Sequence, residues 1–358
     1  MTPIDLRSDT VTRPSAAMRR AMADAEVGDD VLDGDPTTRR LEARVAELVG
    51  MPSALFFPSG TQANQTGIAL LAPAGTELIV EADAHVVHYE LAGVAANWGV
   101  QLRPVATPDS RLTPEALAGA VRPRSPHLPR TSAVAVENTH NAAGGRVLSA
   151  AQWSALVASA RSLGLPVHLD GARLWNAAAA QGEPVARLAA GATTVMVSLC
   201  KGVGAPVGAC LALSEEARPR AWEIRKRLGG GMRQSGVLAA AALFGLEHNL
   251  TRLAEDHDRA RLLADRLAGS AAVSVVRPET NIVMLDLVGP GADAAQAAAA
   301  LAAAGVLVVP FGPRRLRAVT HLDIGRADVE RAAEIIARVL DAARNPRATD
   351  LGAAGARR

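Results

Sequence analysis

The stretch SLCKGVGAPVGA, residues 198–209, is the part of the sequence that most strongly indicates the fold. The apolar run TTVMVSL (193–199) leads into it, and a second apolar run, ACLAL (209–213), follows it. Both runs are short and apolar, so the stretch predicts a glycine-rich loop between two buried strands. A single lysine, Lys201, stands where the first strand meets this loop. The position favours a lysine that acts as an amine nucleophile, although a strand-end lysine that reaches water explains it equally well when taken alone.

Further strand-like and helical runs alternate around this stretch. The runs ELIVEA, QLRPVA, SAVAVEN and PVHLD have strand length, and RLTPEALAGAV and LSAAQWSALVASARSLG between them have helical spacing. Such alternation predicts βαβ crossovers and a mostly parallel sheet with helices on both faces, over about residues 50–215. From about residue 252 the pattern changes to a charged helix followed by strand-like runs and further helices, which predicts a compact α+β second domain.

These changes in pattern divide the chain into three predicted parts. A length of 358 residues is too great for one simple core, and a large domain with a smaller one is expected. Residues 1–250 are predicted to form the large domain, including an N-terminal segment of residues 1–50. Residues 251–343 are predicted to form the small α+β domain, and the small, polar residues 344–358 a disordered tail.

The bulk composition argues against several classes of protein. The net charge of +2, from 38 basic and 36 acidic residues, does not favour a nucleic-acid or membrane surface as the main partner. Two cysteines, Cys200 and Cys210, make no disulfide framework and are a poor metal site without paired histidines. The charged start MTPIDLRSDTVTRP and the lack of a long apolar window predict a cytoplasmic protein without a signal peptide or a spanning helix.

A second motif, HLDGAR (168–173), places Asp170 at the carboxyl end of a predicted buried strand. Asp170 and Lys201 are 31 residues apart, enough for one helical crossover, so they are expected on neighbouring strands at one edge of the sheet. The aspartate could simply cap the following helix. The functional interpretation is a carboxylate that pairs with the ring nitrogen of pyridoxal phosphate, whose aldehyde forms a Schiff base with the lysine.

A third motif, PSGTQAN (58–64), is predicted to begin a helix, with Gly60 and Thr61 at its N-terminus. Free backbone N–H groups and the helix dipole favour a phosphate there, although capping without a ligand explains this motif better when it is taken alone. Together the three motifs supply a phosphate site, a partner for the ring nitrogen and a lysine that can form an imine.

These motifs stand in an order that resembles that of the low-specificity L-threonine aldolases. The shared stretches are IDLRSDTVTRP, VGDDV, DPTTRRLE, FPSGTQANQ, AHVVHYE, VENTHNAAGGRV, HLDGARLWNA, CKGVGAPVG, RKRLGGGMRQSG and LRAVTHLDI. The resemblance implies a fold-type I pyridoxal phosphate enzyme of the aromatic-amino-acid β-eliminating lyase/threonine aldolase superfamily. Its fold would be a mostly parallel seven-stranded sheet sandwiched by helices.

The resemblance also implies an activity. The reaction would be retro-aldol cleavage of L-threonine, L-allo-threonine and other β-hydroxy-α-amino acids to glycine and an aldehyde such as acetaldehyde. The chain would act as a homo-oligomer, a dimer of dimers, with active sites shared between subunits. Two other interpretations stay open: a β-eliminating lyase on the same scaffold, and a ligand-binding protein that kept the fold without catalysis.

The resemblance assigns individual residues to the site. The implied catalytic residues are Lys201 as the imine lysine, His85, which would stack on the ring and assist proton transfer, and His127, near the substrate hydroxyl. The implied cofactor-binding residues are Gly60, Thr61, His85, Asp170, Arg173, Lys201, Lys226 and Arg233. Lys226 and Arg233 flank a glycine segment that, in the family, reaches a neighbouring subunit. The implied ligands of the substrate carboxylate are Ser8, Arg173 and Arg317, and no metal ligands are predicted.

Structural roles without a ligand stay open for several of these residues. His85 could start a helix, Arg173 could pair with Asp170, and Arg317 could be a surface arginine. The sequence also departs from the family pattern beside the lysine, where Cys200 and Val203 replace the usual serine and leucine. Both changes in volume are small, so we expect a modest effect on packing.

Overall fold

The computed structural model describes residues 2–289 and 291–344. The chain divides into two compact units. The large unit is Arg13–Leu253, and the small unit comprises the described residues of Met1–Thr12 and Ala254–Arg358. Of the tail predicted for residues 344–358, Arg344 is described as helical, and the rest lies outside the described residues.

The bounds of the elements follow, in chain order. The strands of the described residues are β1 (Ile4–Asp5), β2 (Ser53–Phe57), β3 (Glu77–Glu81), β4 (Gln101–Val105), β5 (Thr131–Glu137), β6 (Val167–Gly171), β7 (Thr194–Ser198), β8 (Ala209–Leu213), β9 (Val273–Val275), β10 (Ile282–Leu287), β11 (Val306–Leu307), β12 (Val309–Pro310) and β13 (Arg315–Val319). The α-helices are α1 (Ala16–Ala23), α2 (Pro36–Val49), α3 (Gly60–Leu71), α4 (His85–His88), α5 (Gly93–Trp98), α6 (Pro114–Ala120), α7 (Ala150–Ser162), α8 (Leu174–Gln181), α9 (Val185–Ala189), α10 (Arg218–Arg227), α11 (Gly236–His248), α12 (Leu253–Leu267), α13 (Ala294–Ala303) and α14 (Arg326–Arg344). Two 3-10 helices span Asp9–Val11 and Leu250–Arg252.

The large unit, all of which is described, is built on a seven-stranded sheet. Its strand order is β2-β8-β7-β6-β5-β3-β4. The five strands β7, β6, β5, β3 and β4 run parallel to one another. The strand β8 is antiparallel to both of its neighbours, β2 and β7. β2 therefore points the same way as the parallel strands. The mostly parallel seven-stranded sheet implied by the sequence is confirmed.

Burial explains why these strands lack an alternating pattern in the sequence. Every residue of β2, β3, β5, β6, β7 and β8 is buried, because helices cover both faces of the sheet. Helices of this unit begin and end at residues that commonly cap helices. The α2 helix, for example, begins after the capping side chain of Asp35, with Pro36 in its first turn, and ends at Gly50 in the left-handed conformation (φ +73°).

The small unit contains two sheets among its described residues. A four-stranded antiparallel sheet has the order β12-β13-β10-β9, and β1 pairs with β11 as a two-stranded parallel sheet. Its long final helix, α14, buries Val329, Ile336 and Leu340 along one face, which accounts for its helical periodicity.

The N-terminal residues depart from the predicted division of the chain. They were expected in the large domain, but Met1–Thr12 group with the C-terminal unit. The reason is that Ile4 pairs with Val306, and both Ile4 and Leu6 are buried in the core of the small unit. None of the helices in residues 2–289 and 291–344 combines the length and the apolar character needed to cross a bilayer.

Candidate active site

The carboxyl ends of β2, β3, β5, β6 and β7 meet along one edge of the large sheet. Gly60 begins α3 just after β2, and Lys201 lies three residues beyond the end of β7. Asp170 lies near the end of β6, Glu137 ends β5, and His85 begins α4 after β3. Polar and titratable groups thus collect where open α/β sheets bind ligands.

Lys201 lies on a tight, hydrogen-bonded turn. The N–H of Gly204 donates to the carbonyl of Lys201 at 2.8 Å, and that of Ala205 donates to Leu199 at 3.0 Å. The indole N–H of Trp175 donates to the carbonyl of Ser198, at the end of β7. The half-buried lysine is therefore held on a fixed turn just after β7, the strand that pairs with the strand of Asp170, as the sequence spacing predicts.

The Asp170 carboxylate is buried and accepts two hydrogen bonds. Its Oδ1 accepts from the N–H of Ala172 at 3.1 Å, and its Oδ2 accepts from Nδ2 of Asn64 at 2.8 Å. These two donors from the protein satisfy part of the hydrogen-bonding capacity of the buried carboxylate. A buried carboxylate of this kind can accept a hydrogen bond from a protonated ring nitrogen.

Asn64 is oriented by His168. Burial lowers the pKa of His168 to about 4, against the opposing charges of Asp170 and Glu90, so the imidazole is neutral near pH 7. Its Nδ1 lies 2.9 Å from the hydroxyl of Thr194, and its Nε2 lies 3.0 Å from Oδ1 of Asn64. The amide oxygen of Asn64 is thereby turned to His168, which leaves its NH₂ group to donate to carboxylates.

His85 is held by two carboxylates. Its backbone N–H donates to Oε2 of Glu137 at 2.8 Å, and its Nδ1 lies 3.0 Å from Oε1 of Glu90. Burial lowers the pKa of His85, but the hydrogen bond to Glu90 and the charges of Asp170, Glu137 and Glu90 outweigh it, so the pKa is raised. The side chain keeps 34% of its surface exposed, which leaves it accessible to a ligand.

The N-terminus of α3 offers donors for an anion. The hydroxyl of Ser59 caps the helix by accepting from the N–H of Gln62, while helix geometry leaves the N–H groups of Gly60 and Thr61 without an intrahelical partner. A Cβ on Gly60 would meet only the side chain of Met196, at 3.6 Å, so the space beside this glycine is open. These donors suit a phosphate group.

The ligand atoms of His85, Glu90 and Asp170 lie within 4.8 Å of one another, a spacing that a metal ion could use. The NH₂ group of Asn64, however, donates to Glu90 at 2.9 Å and to Asp170 at 2.8 Å. The lone pairs that would bind a metal are therefore engaged by hydrogen bonds, and we assign the cluster to hydrogen bonding.

Two residues assigned to the substrate carboxylate lie in the small unit. Arg317, on β13, donates to the carbonyl of Arg7 and lies 5.1 Å from the centre of the Phe311 ring. Ser8, the next residue after Arg7, caps the first 3-10 helix. The small unit thus brings Ser8 and Arg317 close together.

The third such residue, Arg173, lies in the large unit. It is buried, directly precedes α8 and donates to Oδ1 of Asn141 at 3.3 Å. It follows Asp170 by three residues at the same edge of the sheet.

Lys226 and Arg233 flank the glycine segment after α10. Lys226 is exposed, and Arg233 forms an ion pair with Asp29 at 3.1 Å. The segment between them packs on Gln62, whose amide donates to the carbonyl of Leu228 at 3.0 Å. The glycine segment therefore lies beside the first turn of α3.

The structure does not bring His127 to the Lys201 edge of its own chain. His127 is exposed in the loop before Thr131, which begins β5, whereas the candidate site lies at Glu137, where β5 ends. A strand of this length separates the two edges by roughly 20 Å. Within one chain His127 therefore lies away from Lys201, and its role near the substrate hydroxyl stays a prediction.

Sequence motifs alone did not assign Asn64, Glu90, Glu137 and His168 to the site. Asn64 lies one helical turn after Gly60, a spacing that puts both on one side of α3 and could have indicated it. No local pattern marks Glu90, because its partners come from α3 and from His85.

Comparisons with known proteins agree with this geometry. A family model described as beta-eliminating lyase matches residues 5–289. The chain is 42% identical over 336 residues to low-specificity L-threonine aldolase 1 of Arabidopsis thaliana, which covers 92% of this chain and 94% of that protein. It is 39% identical over 335 residues to the low specificity L-threonine aldolase of Escherichia coli K12, with 93% and 97% covered. The solved structure of a Leishmania major threonine aldolase shares the fold, with a TM-score of 0.79 at 20% identity over 94% of this chain and 100% of that one.

Proposed function

The chain belongs to the beta-eliminating lyase family, and from that membership we propose that it is a pyridoxal phosphate-dependent L-threonine aldolase. It cleaves L-threonine, L-allo-threonine and other β-hydroxy-α-amino acids to glycine and an aldehyde such as acetaldehyde. The observation that carries this proposal is that Lys201 and Asp170 lie at the carboxyl ends of the neighbouring strands β7 and β6, at the same sheet edge as a histidine held by carboxylates.

The residues at this edge fit pyridoxal phosphate by their donor chemistry. The free N–H groups of Gly60 and Thr61 suit the phosphate, the Asp170 carboxylate suits a protonated ring nitrogen, and the amine of Lys201 suits the aldehyde. When bound, the cofactor supplies an electron sink for the pair of electrons left on the substrate α-carbon.

The protein's own residues orient the substrate and move a proton. Arg173 binds the substrate carboxylate, which fixes the rotation that sets the Cα–Cβ bond for cleavage. His85 accepts the proton of the β-hydroxyl, so that the aldehyde can leave. The assignment of Ser8 and Arg317 to the same carboxylate stays a prediction from the resemblance.

His85 can be tested separately from the cofactor site. Replacement of His85 by alanine should slow turnover while the visible absorption of the bound cofactor survives. Full activity in that variant would remove this histidine from the chemistry.

A homo-oligomer with shared sites accounts for the position of His127. Since His127 lies at the far edge of its own sheet, it can reach a site only in another copy of the chain. Lys226 and Arg233 would also act across subunits, in a dimer of dimers. Mixing inactive Lys201→Ala and His127→Ala subunits should then restore activity in hybrid oligomers; no recovery would remove His127 from a shared site.

We further assign the protein to the cytoplasm and to amino-acid metabolism, in threonine catabolism and glycine biosynthesis. A β-elimination reaction is the second candidate, because the matching family is described by that chemistry. The two reactions release different products from the same amino acids.

Product analysis separates these candidates. The purified protein, loaded with pyridoxal phosphate, is supplied with L-threonine, L-allo-threonine and L-serine, with Lys201→Ala as the control. Acetaldehyde and glycine from the two threonine diastereomers support the aldolase, whereas ammonia and a keto acid support elimination. A native protein without a borohydride-sensitive visible band would refute both reactions.

A further inference from the structure

Glu90 is a buried carboxylate that no sequence motif assigns to the site. It follows α4, and its two oxygens accept from three side chains of the large unit. Oε1 lies 3.0 Å from His85 Nδ1 and accepts from Asn64 at 2.9 Å, while Oε2 accepts from Gln65 at 2.8 Å. These three contacts on two oxygens fix the plane of the carboxylate.

The hydrogen-bond directions then fix the tautomer of His85. An ionised carboxylate only accepts hydrogen bonds, so the hydrogen between Glu90 and His85 belongs to Nδ1. A neutral His85 with Nδ1–H has its free lone pair on Nε2, and only that nitrogen can accept a proton. An imidazole whose second nitrogen is bound in this way is oriented as in other carboxylate–histidine pairs.

Asn64 links this pair to the partner proposed for the ring nitrogen. Its NH₂ group donates one hydrogen to Glu90 and the other to Asp170, and His168 holds the amide in that orientation. The two carboxylates are therefore held apart by one amide, and neither can turn toward the other to share a proton.

From this geometry we propose that Glu90 is the positioning residue of His85, which fixes the Nδ1–H tautomer and makes Nε2 the proton acceptor. Asn64 keeps Glu90 in place. The role in proton transfer rests on the proposed aldolase function, whereas the tautomer does not depend on it.

The charged groups that face His85 come from three elements. They are Glu90 in the segment after α4, Asp170 on β6 and Glu137 at the end of β5. Together they raise the pKa of His85 in spite of its burial. Because a general base must be unprotonated, loss of the Glu90 charge should move the acid limb of the kcat profile to lower pH.

The tautomer can be measured in the native protein. Cofactor-free and loaded protein is labelled with ¹⁵N-histidine, and the His85 signals are assigned by their loss in His85→Asn. Above the pKa of His85 we expect Nδ1 protonated and Nε2 unprotonated in both forms. A neutral His85 with Nε2–H in the native protein would overturn the proposal, whether or not any substrate is cleaved.

A matched pair of variants tests the catalytic consequence. Glu90→Gln keeps the side-chain volume but removes the charge and replaces one acceptor by a donor. It should give a mixture of His85 tautomers, lower kcat by roughly ten- to a hundredfold, and move the acid limb down by about one pH unit or more. KM and the visible band of the bound cofactor should change little.

The control is Glu81→Gln, since Glu81 is another buried carboxylate 3.0 Å from a histidine nitrogen, that of His140. It should leave the tautomer of His85 and the kcat profile as they are. If Glu90→Gln matches this control in both readouts, the proposal fails.

A double-mutant cycle decides whether Glu90 acts through His85. Adding Glu90→Gln to His85→Asn should lower kcat no further, because the group that Glu90 positions is already gone. A further tenfold loss would show that Glu90 acts by another route and would overturn the proposal. If the native protein cleaves no threonine, the aldolase assignment fails, and the ¹⁵N measurement still decides the tautomer.

Discussion

Replacing His168 by glutamine should make the stability of the large unit less sensitive to acid. His168 is almost wholly buried and bonded to Thr194 and Asn64. Burial lowers its pKa from the usual 6.5 to about 4, because a charged imidazole would be poorly solvated there. Glutamine can reproduce a donor and an acceptor at this position but takes up no proton.

The magnitude follows from proton linkage. The unfolded chain protonates His168 near pH 6.5 and the folded chain only near pH 4, so between these values the unfolded state binds more protons. The free energy of unfolding therefore falls as the pH falls through this window. The loss from this one group is about 2 kcal/mol between pH 7 and pH 5, and about 3 kcal/mol by pH 4.

Urea unfolding followed by tryptophan fluorescence measures this loss. All four tryptophans lie within residues 13–253, the unit that contains His168. With cofactor-free protein, the wild type should lose about 2 kcal/mol more than His168→Gln between pH 7 and pH 5. The control is Thr194→Val, which removes a hydrogen-bond partner but keeps the titrating group, so its pH dependence should match the wild type. Equal acid dependence in the wild type and His168→Gln would refute the reasoning.

Three further substitutions probe the fold and the site. Gly60→Ala should leave the melting temperature unchanged, since its Cβ would meet only Met196, yet weaken cofactor affinity by roughly tenfold or more, as measured by titration with pyridoxal phosphate. Arg225→Met should lower the free energy of unfolding by about 3–5 kcal/mol in urea, because it leaves the Asp30 carboxylate, whose side chain is only 10% exposed, without its partner at 2.9 Å; an unchanged midpoint would contradict this. Cys200→Ser should change kcat by less than about twofold in steady-state assays, because a hydroxyl can replace the thiol in contact with its neighbouring serine.

The sequence predicted the sheet because its strands and crossovers leave local patterns. Buried strands such as β5, β6 and β7 are continuous apolar runs, and helical spacing separates them. The number of residues between Asp170 and Lys201 then places both at the carboxyl ends of neighbouring strands. Local pattern and topology together therefore predict which strands have their carboxyl ends at the site.

Side-chain partners across the fold leave no such pattern. Asn64 contacts Glu90 over 26 positions and Asp170 over 106, and no periodicity connects these residues. His127 shows a second limit of prediction from sequence. A motif identifies a residue in the chain but does not show at which edge of the sheet that residue lies. The two-residue strand β1 is likewise too short for a recognisable pattern.

The pairing of β1 with β11 has a consequence for synthesis on the ribosome. Ile4 is made about 300 residues before its partner Val306. At usual rates of translation this delay is on the order of 15–60 s, and residues 13–253, which form the large unit, are completed before it ends. Throughout that interval β1 has no strand to pair with, and the apolar side chains of Ile4 and Leu6 stay outside the core that later buries them.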